Sequence, residues 1–440
     1  TSDGKYYTGD TVSLTGTAAY NFNSKDVLTA TTITESGLSL TGAQSSNYTL
    51  TAPTLTASIS PKALTAQGTL SGGNKTYDAT TTATPSGSAA LQTAEAPGAG
   101  STSDGKYYTG DTVSLTGTAA YNFNSKDVLT ATTITESGLS LTGAEASNYT
   151  LTAPTLTASI SPKALTAQGT LSGGNKTYDA TTTATPSGSA ALQTAEAPGA
   201  GSTSDGKYYT GDTVSLTGTA AYNFNSKDVL TATTITESGL SLTGAEASNY
   251  TLTAPTLSAS ISPKALTAQG TLSGGNKTYD ATTTATPSCS AALQTSEAPG
   301  AGSTSDGKYY TGDTVSLTGT AAYNFNSKNV LTATTITESG LSLTGAESSN
   351  YTLTAPTLSA SISAKTIIVT GLTANNTIYT ATTVASLAGT AALLAAEAPG
   401  TGTTSDNKPY TGDTLSVGGT AAGTYASANV RQWHCYYCYR

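Results

Sequence analysis

A repeat of 101 residues governs what this chain can fold into. The segment Thr-Ser-Asp-Gly-Lys-Tyr-Tyr begins at Thr1, Thr102, Thr203 and Thr304, and a diverged version, Thr-Ser-Asp-Asn-Lys-Pro-Tyr, begins at Thr404. The coils of solenoid proteins recur every ~20–50 residues, whereas about 100 residues is the usual size of a whole domain. The sequence therefore predicts a tandem array of complete domains.

Within one repeat, apolar and polar residues alternate in four stretches, which begin at Val113, Leu139, Tyr149 and Leu156. Period-two alternation with β-branched and aromatic residues is typical of strands that have one buried face. No stretch keeps helical spacing of apolar residues for three turns. We therefore predict an all-β fold of about five to eight antiparallel strands per domain, either an immunoglobulin-like sandwich or a β-grasp-like fold. Domains arranged in a row would form an elongated rod.

Domain boundaries are expected at the Ser-Pro that precedes each Lys-Ala-Leu-Thr, because proline restricts its neighbour and cannot donate to a sheet. In the last copy the boundary lies at the equivalent Ser-Ala. These boundaries define repeats 1 to 5 and a tail. Repeat 1 (1–60) is the C-terminal part of a domain. Repeats 2 (61–161), 3 (162–262) and 4 (263–363) are complete. Repeat 5 (364–430) is a diverged N-terminal part, and the tail (431–440) is aberrant.

The apolar core of each domain is expected to be thin. One full period, residues 102–202, contains only 14 Leu, Ile, Val and Phe residues. The chain has four phenylalanines, one in each of the first four periods, and we expect them to anchor the cores: Phe22, Phe123, Phe224 and Phe325. Small cores predict domains that unfold almost independently of their neighbours.

Composition excludes several classes of function. With a net charge of −9 and a pI near 4.6, the chain has nothing that attracts phosphate backbones or anionic lipids, so no nucleic-acid partner is expected. No apolar run is long enough to predict a membrane-spanning helix. The single histidine, His434, excludes an imidazole base within the repeats. One active site repeated along every domain is also not expected, so we predict no enzyme and no cofactor.

Two groups of residues are weak candidates for metal ligands. Asp104 and Asp111 are the candidate calcium ligands of a repeat, but no calcium-loop spacing accompanies them, and Ca²⁺ takes about six to eight oxygen ligands. The tail offers His434, Cys435 and Cys438 as zinc ligands, and its Cys-x-x-Cys spacing also occurs in redox sites. We favour the alternative that the tail is an aberrant end, and we predict no metal site.

Taken from the Ser-Pro boundary, each repeat shows the same ordered segments. In repeat 2 the first two are Asn-Lys-Thr-Tyr-Asp-Ala-Thr-Thr (Asn74–Thr81) and Gly-Asp-Thr-Val-Ser-Leu-Thr-Gly-Thr-Ala (Gly110–Ala119). They are followed by a segment that ends in Asn-Tyr-Thr-Leu (Leu139–Leu151) and by Ile-Ser-Pro-Lys (Ile160–Lys163). This order resembles the YDG-type repeat domains of filamentous-haemagglutinin-like, two-partner-secreted bacterial adhesins and exoproteins.

The Tyr-Asp-Gly that gives those domains their name reads Tyr-Asp-Ala here, at Tyr77–Ala79. We expect the tyrosine to pack and Asp78 to accept backbone N–H groups in a turn. Alanine resists the positive φ that glycine adopts readily, so the sequence departs from the family pattern at the turn after Asp78.

The resemblance implies a function as well as a fold. It implies secretion by an outer-membrane partner transporter, a location outside the cell or on its surface, and a non-catalytic role as stalk or spacer. It does not identify a receptor. Two alternatives stay open. One is an adhesin that binds carbohydrate weakly and multivalently through five tyrosines per repeat. The other is a filament subunit whose ends, 1–60 and 364–430, join head to tail.

Overall fold

A computed structural model describes residues 3–428 and the backbone of Cys435–Tyr436. The described residues form strands and loops, with helix present only as single 3₁₀ turns at Ser45–Asn47, Ala146–Asn148, Ala247–Asn249 and Ser348–Asn350. None of the described helical segments is long and apolar enough to span a bilayer. The prediction of an all-β chain built from tandem repeats of about 100 residues is confirmed.

The strands recur in the same order from repeat to repeat. Repeat 1 contains β1 (Ser13–Phe22), β2 (Thr32–Thr41) and β3 (Thr54–Thr56). Repeat 2 contains β4 (Lys62–Thr65), β5 (Lys75–Thr76), β6 (Ser114–Phe123), β7 (Thr133–Thr142), β8 (Tyr149–Thr152), β9 (Thr155–Thr157) and β10 (Ile160–Ser161).

Repeats 3 and 4 reproduce these seven strands. Repeat 3 contains β11 (Lys163–Thr166), β12 (Lys176–Thr177), β13 (Ser215–Phe224), β14 (Thr234–Thr243), β15 (Tyr250–Thr253), β16 (Thr256–Ser258) and β17 (Ile261–Ser262). Repeat 4 contains β18 (Lys264–Thr267), β19 (Lys277–Thr278), β20 (Ser316–Phe325), β21 (Thr335–Thr344), β22 (Tyr351–Thr354), β23 (Thr357–Ser359) and β24 (Ile362–Ser363). The remaining strands are β25 (Val369–Ala374), β26 (Val384–Ala385), β27 (Leu387–Leu393), β28 (Gly423–Tyr425) and β29 (Cys435–Tyr436).

The longest pairing in repeat 2 is antiparallel, as predicted. Strand β6 pairs with β7, with Phe123 opposite Ile134, and β9 adds to the other edge of β7, with Leu156 opposite Ile134. These three side chains are almost fully buried and belong to one apolar cluster. The alternating pattern therefore located both the strands and part of their buried face.

Two further pairings in repeat 2 are parallel, which the alternation did not predict. Strand β4 pairs with β8, and β5 pairs with β10. A parallel pair needs a long connection between its strands, and in repeat 2 the antiparallel ladder itself lies between them in sequence. Repeat 2 is therefore closed by pairing of its first two strands, β4 and β5, with the later strands β8 and β10.

The chain forms two compact units. The first contains the described residues up to Leu171 with Gly188–Ala221 and Glu237–Pro255; the second contains Ser172–Ser187, Tyr222–Thr236 and the described residues from Thr256 onward. The core of the first unit combines residues from repeats 2 and 3: Leu70, Tyr77, Ala83, Phe123, Ala131, Ile134, Leu156, Ala158, Ile160, Leu165, Tyr209 and Tyr250. A core that crosses the boundary between repeats contradicts the expectation of nearly independent domains.

Three of the four phenylalanines are the core anchors that the sequence predicted. Phe123, Phe224 and Phe325 are each 3% exposed, but Phe22 is 37% exposed. Leu70, Tyr77 and Ala83 cluster with Phe123, and the sequence has no equivalent of these residues before Phe22. The prediction for Phe22 is wrong because the same strand sequence has fewer side chains packed over it in repeat 1.

Candidate functional site

The principal polar site in the first compact unit lies where repeat 2 contacts repeat 3, and we call this contact the joint. At its centre is the carboxylate of Asp212, whose side chain is 3% exposed. It accepts hydrogen bonds from the Tyr77 hydroxyl at 2.8 Å, from the Tyr250 hydroxyl at 2.6 Å and from Lys126 Nζ at 3.0 Å. Two residues of repeat 2 thus bind a carboxylate of repeat 3.

The Tyr-Asp-Ala turn brings Tyr77 to the joint. Asp78 accepts hydrogen bonds from the Thr80 N–H at 2.9 Å and from Lys75 Nζ at 2.6 Å, so the predicted role of Asp78 as a turn acceptor is confirmed. Ala79 has a φ of +61°, a left-handed conformation that glycine adopts without penalty. Alanine therefore keeps the turn geometry at a cost in stability.

The aromatic rings of the joint pack edge to face. The Tyr77 ring is fully buried, and its centroid lies 5.9 Å from that of Tyr209 and 5.3 Å from that of Tyr250. Burial raises the pKa of Tyr77 to about 12, with the Lys126 ammonium opposing this shift and the Asp212 carboxylate adding to it. The hydroxyl is thus held in its neutral, donating form.

An asparagine completes the joint. Asn249 is 1% exposed and ends the 3₁₀ turn Ala247–Asn249. Its side-chain oxygen accepts a hydrogen bond from the Val128 N–H at 2.9 Å, and its amide nitrogen donates to Asp127 at 2.9 Å. The Gly199 N–H also donates to the Asp78 carbonyl oxygen at 2.8 Å. Repeats 2 and 3 are therefore joined by both backbone and side-chain groups.

The same joint occurs in the second compact unit between repeats 3 and 4. Asp313 accepts hydrogen bonds from the hydroxyls of Tyr178 and Tyr351 at 2.8 and 2.6 Å, and from Lys227 at 3.3 Å. Asn350 donates to Asp228 at 2.8 Å. One set of contacts thus fastens consecutive repeats more than once along the chain.

The joints that involve repeats 1 and 5 are less complete. Between repeats 1 and 2, Asp111 accepts hydrogen bonds from the Tyr149 hydroxyl at 2.6 Å and from Lys25 at 3.0 Å. Between repeats 4 and 5, Asp413 accepts a hydrogen bond from the Tyr279 hydroxyl at 2.7 Å, and Lys328 lies 3.9 Å away. These partial joints are natural controls for the complete ones.

The two calcium candidates do not share a site. Asp111 belongs to a joint, whereas Asp104 contacts the buried ammonium of Lys62 at 3.0 Å, and Glu95 contacts the same ammonium. Within residues 3–428 no three His, Cys, Asp or Glu side chains group as metal ligands. The zinc candidates of the tail, His434, Cys435 and Cys438, lie outside the residues whose side chains are described.

Sequence reasoning missed the buried lysines. The equivalent of Lys62 in repeat 3, Lys163, is completely buried, although lysine is among the residues least often buried. The sequence of the diverged repeat 5 contained a signal for these lysines. That repeat has lost the Tyr-Asp-Ala motif, which reads Tyr379-Thr380-Ala381, but it keeps the lysine and both of its acidic partners: Lys365, Glu397 and Asp406.

Comparison with known proteins identifies a family. Four consecutive segments match the YDG domain, at residues 1–57, 60–158, 161–258 and 262–359, and together they cover most of the chain. No curated protein and no solved structure matches the chain.

Proposed function

The chain belongs to the YDG domain family, and from this premise we propose that it is a non-catalytic spacer segment of a secreted bacterial surface adhesin or exoprotein. The observation that supports this proposal is the recurring joint. A spacer needs every repeat to be fastened to the next in the same way, so that length depends on the number of repeats.

The chemistry of the joint supports a mechanical role over ligand binding. Within the described residues, every buried side-chain nitrogen or oxygen atom has a hydrogen-bond partner. The groups at the joint that would recognise a ligand are therefore already bound to protein. Asp212, with two tyrosine hydroxyls and an ammonium on one carboxylate, is the clearest case.

The proposed location and export route rest on the family resemblance. We place the chain outside the cell or on its surface, delivered through an outer-membrane partner transporter of the kind that serves filamentous-haemagglutinin-like exoproteins.

Tyrosine burial makes the carbohydrate-binding alternative less favourable. In repeat 2, Tyr77 and Tyr149 are buried, and Tyr107, Tyr108 and Tyr121 are half-buried. A sugar platform requires exposed aromatic faces, and the rings of this repeat pack against protein instead. A glycan array probed with the full chain tests the point, because selective binding of one glycan class would favour the adhesin over the spacer.

The spacer proposal is tested by changing the number of repeats. Residues 162–262 can be deleted or duplicated without altering any junction, because repeats 2, 3 and 4 begin with the same Ser-Pro-Lys-Ala-Leu-Thr context. We expect the maximum dimension from small-angle X-ray scattering to change by the same amount for each repeat removed or added. Growth following the weak power law of a compact globule, with an exponent of about 0.38, would reject the proposal.

A cavity of about 520 Å³ in the second compact unit favours a second candidate function, self-assembly. Its lining includes Tyr279, Val330, Lys365, Tyr410 and Asp413. These residues are the repeat equivalents of the five that contact Asn249 and Tyr250 in the joint between repeats 2 and 3: Tyr77, Val128, Lys163, Tyr209 and Asp212. The cavity is therefore shaped to receive an Asn-Tyr-Thr strand.

We propose that the occupant is the Asn47–Thr51 segment of a second molecule, which carries the same Asn-Tyr-Thr-Leu-Thr sequence. Head-to-tail binding of this kind produces an open filament. Electron microscopy and sedimentation of the chain with and without residues 1–60 test it. Filaments that disappear on deletion support this mode; a chain that stays monomeric at high concentration, or filaments unaffected by the deletion, reject it.

A further inference from the structure

Repeats 2 to 5 each bury a lysine between two carboxylates, and we call this group the lysine triad. In repeat 3, the side chain of Lys163 is 0% exposed. Its Nζ contacts Glu196, lies 3.0 Å from Asp205 Oδ1 and sits 4.2 Å from the centroid of the Tyr209 ring. A primary amine is thus held against two carboxyl groups and an aromatic face, away from solvent.

The triad recurs with nearly constant geometry in both compact units. The distance from the lysine Nζ to the aspartate Oδ1 is 3.0, 3.0, 3.0 and 2.9 Å in the four triads Lys62/Glu95/Asp104, Lys163/Glu196/Asp205, Lys264/Glu297/Asp306 and Lys365/Glu397/Asp406. A buried ion pair alone is weak grounds for stability, because desolvation of the charges offsets their attraction. Its presence in the diverged repeat 5 calls for another role.

The two carboxyl groups of a triad have different surroundings. Asp205 Oδ1 also accepts the Lys207 N–H at 3.0 Å, which fixes and polarises this carboxyl. Glu196 is held through its backbone, which accepts the Thr210 N–H at 2.7 Å. Both side chains converge over Gly201, where a Cβ atom would lie 2.0 Å from Glu196 Oε2 and 2.8 Å from Asp205 Oδ2. Glycine at this position lets the two carboxyl groups approach each other and the amine.

The resting triad is an ion pair with the proton on lysine. Burial disfavours the charged ammonium, but the hydrogen bonds that it donates to Glu196 and Asp205 outweigh this effect and raise the pKa of Lys163. Burial likewise opposes ionisation of Asp205, but the Lys207 N–H and the Lys163 ammonium lower its pKa to about 2. A reaction of the amine therefore requires a group that removes its proton, and Glu196 is in contact with it.

We propose that each triad forms an isopeptide bond between the lysine Nζ and the aspartate Cγ, with the glutamate acting as proton carrier. The ammonium passes one proton to Glu196, and the free amine attacks Cγ of Asp205 to form the new C–N bond. Glu196 passes this first proton to a carboxyl oxygen of Asp205, and the addition intermediate then passes its second nitrogen proton through Glu196 to the same oxygen. The bond between Cγ and that oxygen breaks, and the oxygen leaves as water with both protons. The balance is one ammonium and one carboxylate giving one amide and one water, with Glu196 unchanged and no oxidant or cofactor required.

Two features of the site favour this condensation. Reacting groups held in contact behave as if present at effective concentrations of up to ~10⁵–10⁸ M. The reaction also converts two buried charges into a neutral amide, which removes their desolvation cost. In repeat 3 the bond would tie the first strand, β11, to the loop that follows Glu196, so it would stiffen the repeat. It does not depend on the proposed spacer function, since it requires only the triad.

Intact-mass spectrometry of the denatured full chain tests the proposal. We expect a mass about 18 Da below that of the sequence for every bond formed, and so about 72 Da below it for four bonds. Digestion is expected to yield a branched peptide in which Lys163, or its equivalent, is joined to the aspartate of the same repeat. A folded chain with the full sequence mass and unmodified lysine peptides would overturn the proposal.

Variants in one repeat assign the roles, and the other three triads report whether the chain still folds. Glu196→Gln is expected to abolish only the bond of repeat 3, and Asp205→Ala is expected to do the same. A bond that persists in Glu196→Gln would overturn the role of Glu196. A branched peptide carrying the link on Glu196 would overturn the choice of Asp205 as the acylated residue.

Discussion

Replacing Asp212 with asparagine tests the energetics of the complete joint. Both tyrosine hydroxyls donate to Oδ2, and the amide can place its neutral oxygen there, so the two hydrogen bonds remain but lose the help of the negative charge. The amide nitrogen then faces Lys126, which in the native joint donates to Oδ1. Hydrogen bonds to a charged group contribute about 1.5–3 kcal/mol each, and Asp212 accepts two from buried tyrosines. The Lys126 side chain is 38% exposed, so solvent screens most of its share. A neutral hydrogen bond contributes about 0.5–1.5 kcal/mol, so we expect Asp212→Asn to lower the free energy of unfolding of the joined repeats by about 2–3 kcal/mol.

The chain supplies a matched control in Asp111. This residue occupies the equivalent position in the joint between repeats 1 and 2, but its partners are one tyrosine hydroxyl and Lys25, which is 71% exposed. We expect Asp111→Asn to cost about 1–1.5 kcal/mol, the difference between one charge-assisted and one neutral hydrogen bond. Urea unfolding followed by circular dichroism measures both variants. Equal losses would refute the reasoning, because they would show that the Tyr77 hydrogen bond adds nothing.

Three further changes test the packing and the turns. Phe123→Ala is expected to cost about 3–5 kcal/mol in urea unfolding, and Phe22→Ala less than about 1 kcal/mol; similar losses would contradict the difference in burial. Ala79→Gly relieves a left-handed alanine that costs about 1–2 kcal/mol, so the melting temperature of this variant should not fall. Ala83→Gly is the control: it removes a buried methyl group of the core cluster and should lower the melting temperature. Burial raises the pKa of Tyr77 to about 12, whereas an unfolded tyrosine titrates at about pH 10. The stability that the neutral hydroxyl provides to the fold is therefore complete below about pH 10 and is lost as the pH rises toward about 12. Titration by tyrosinate absorbance is expected to show a late-ionising class of tyrosines, and its absence would contradict the burial of the ring.

Local pattern determined much of the fold. The alternation at Leu156, Ala158 and Ile160 predicted a buried face, and all three side chains are buried. The alternation at Leu139 and Leu141 predicted a strand correctly, but both side chains are only half-buried. Alternation reports which side of a strand is apolar, while the depth of burial depends on what packs against that side.

The alternation of apolar and polar residues could not predict contacts between segments that are distant in sequence. Strands β4 and β8 lie more than 80 residues apart in sequence, and nothing in Lys-Ala-Leu-Thr or Tyr-Thr-Leu-Thr specifies their parallel register. The joint could not be predicted for the same reason. In the sequence Asp212 looks like an ordinary turn aspartate, and only the fold places Tyr77 and Lys126 of the preceding repeat beside it. The sequence located the Tyr-Asp-Ala turn but not its partner.

Composition was misleading for lysine. In a domain with a thin apolar core, the four lysines of each period are expected to lie on the solvated surface. Lys163 is nevertheless completely buried, and Lys62 is nearly so. Burial of a charge depends on counter-charges that arrive from elsewhere in the chain, here 33 residues away in sequence for Glu196. Such an arrangement follows from the fold and is not encoded by any local spacing.

The central claim is that each joint merges consecutive repeats into one cooperative structure, and amide hydrogen exchange tests it most directly. The N–H groups of Val27, Val128 and Val229 donate to an asparagine of the next repeat at 2.8–2.9 Å. Val330 occupies the same position in repeat 4, and within residues 3–428 no asparagine receives its N–H. Peptides containing Lys-Asp-Val-Leu come from the first three sites, and those containing Lys-Asn-Val-Leu come from the fourth, so mass spectrometry separates them.

We expect the valine amide in the Lys-Asp-Val-Leu peptides to exchange at least about tenfold more slowly than that of Val330, at a rate close to that of the β6 core amides. This result would show that the joints open only when the repeats unfold. Equal exchange of the two peptide classes would show that the joints open on their own, and it would contradict the claim that they hold the array together.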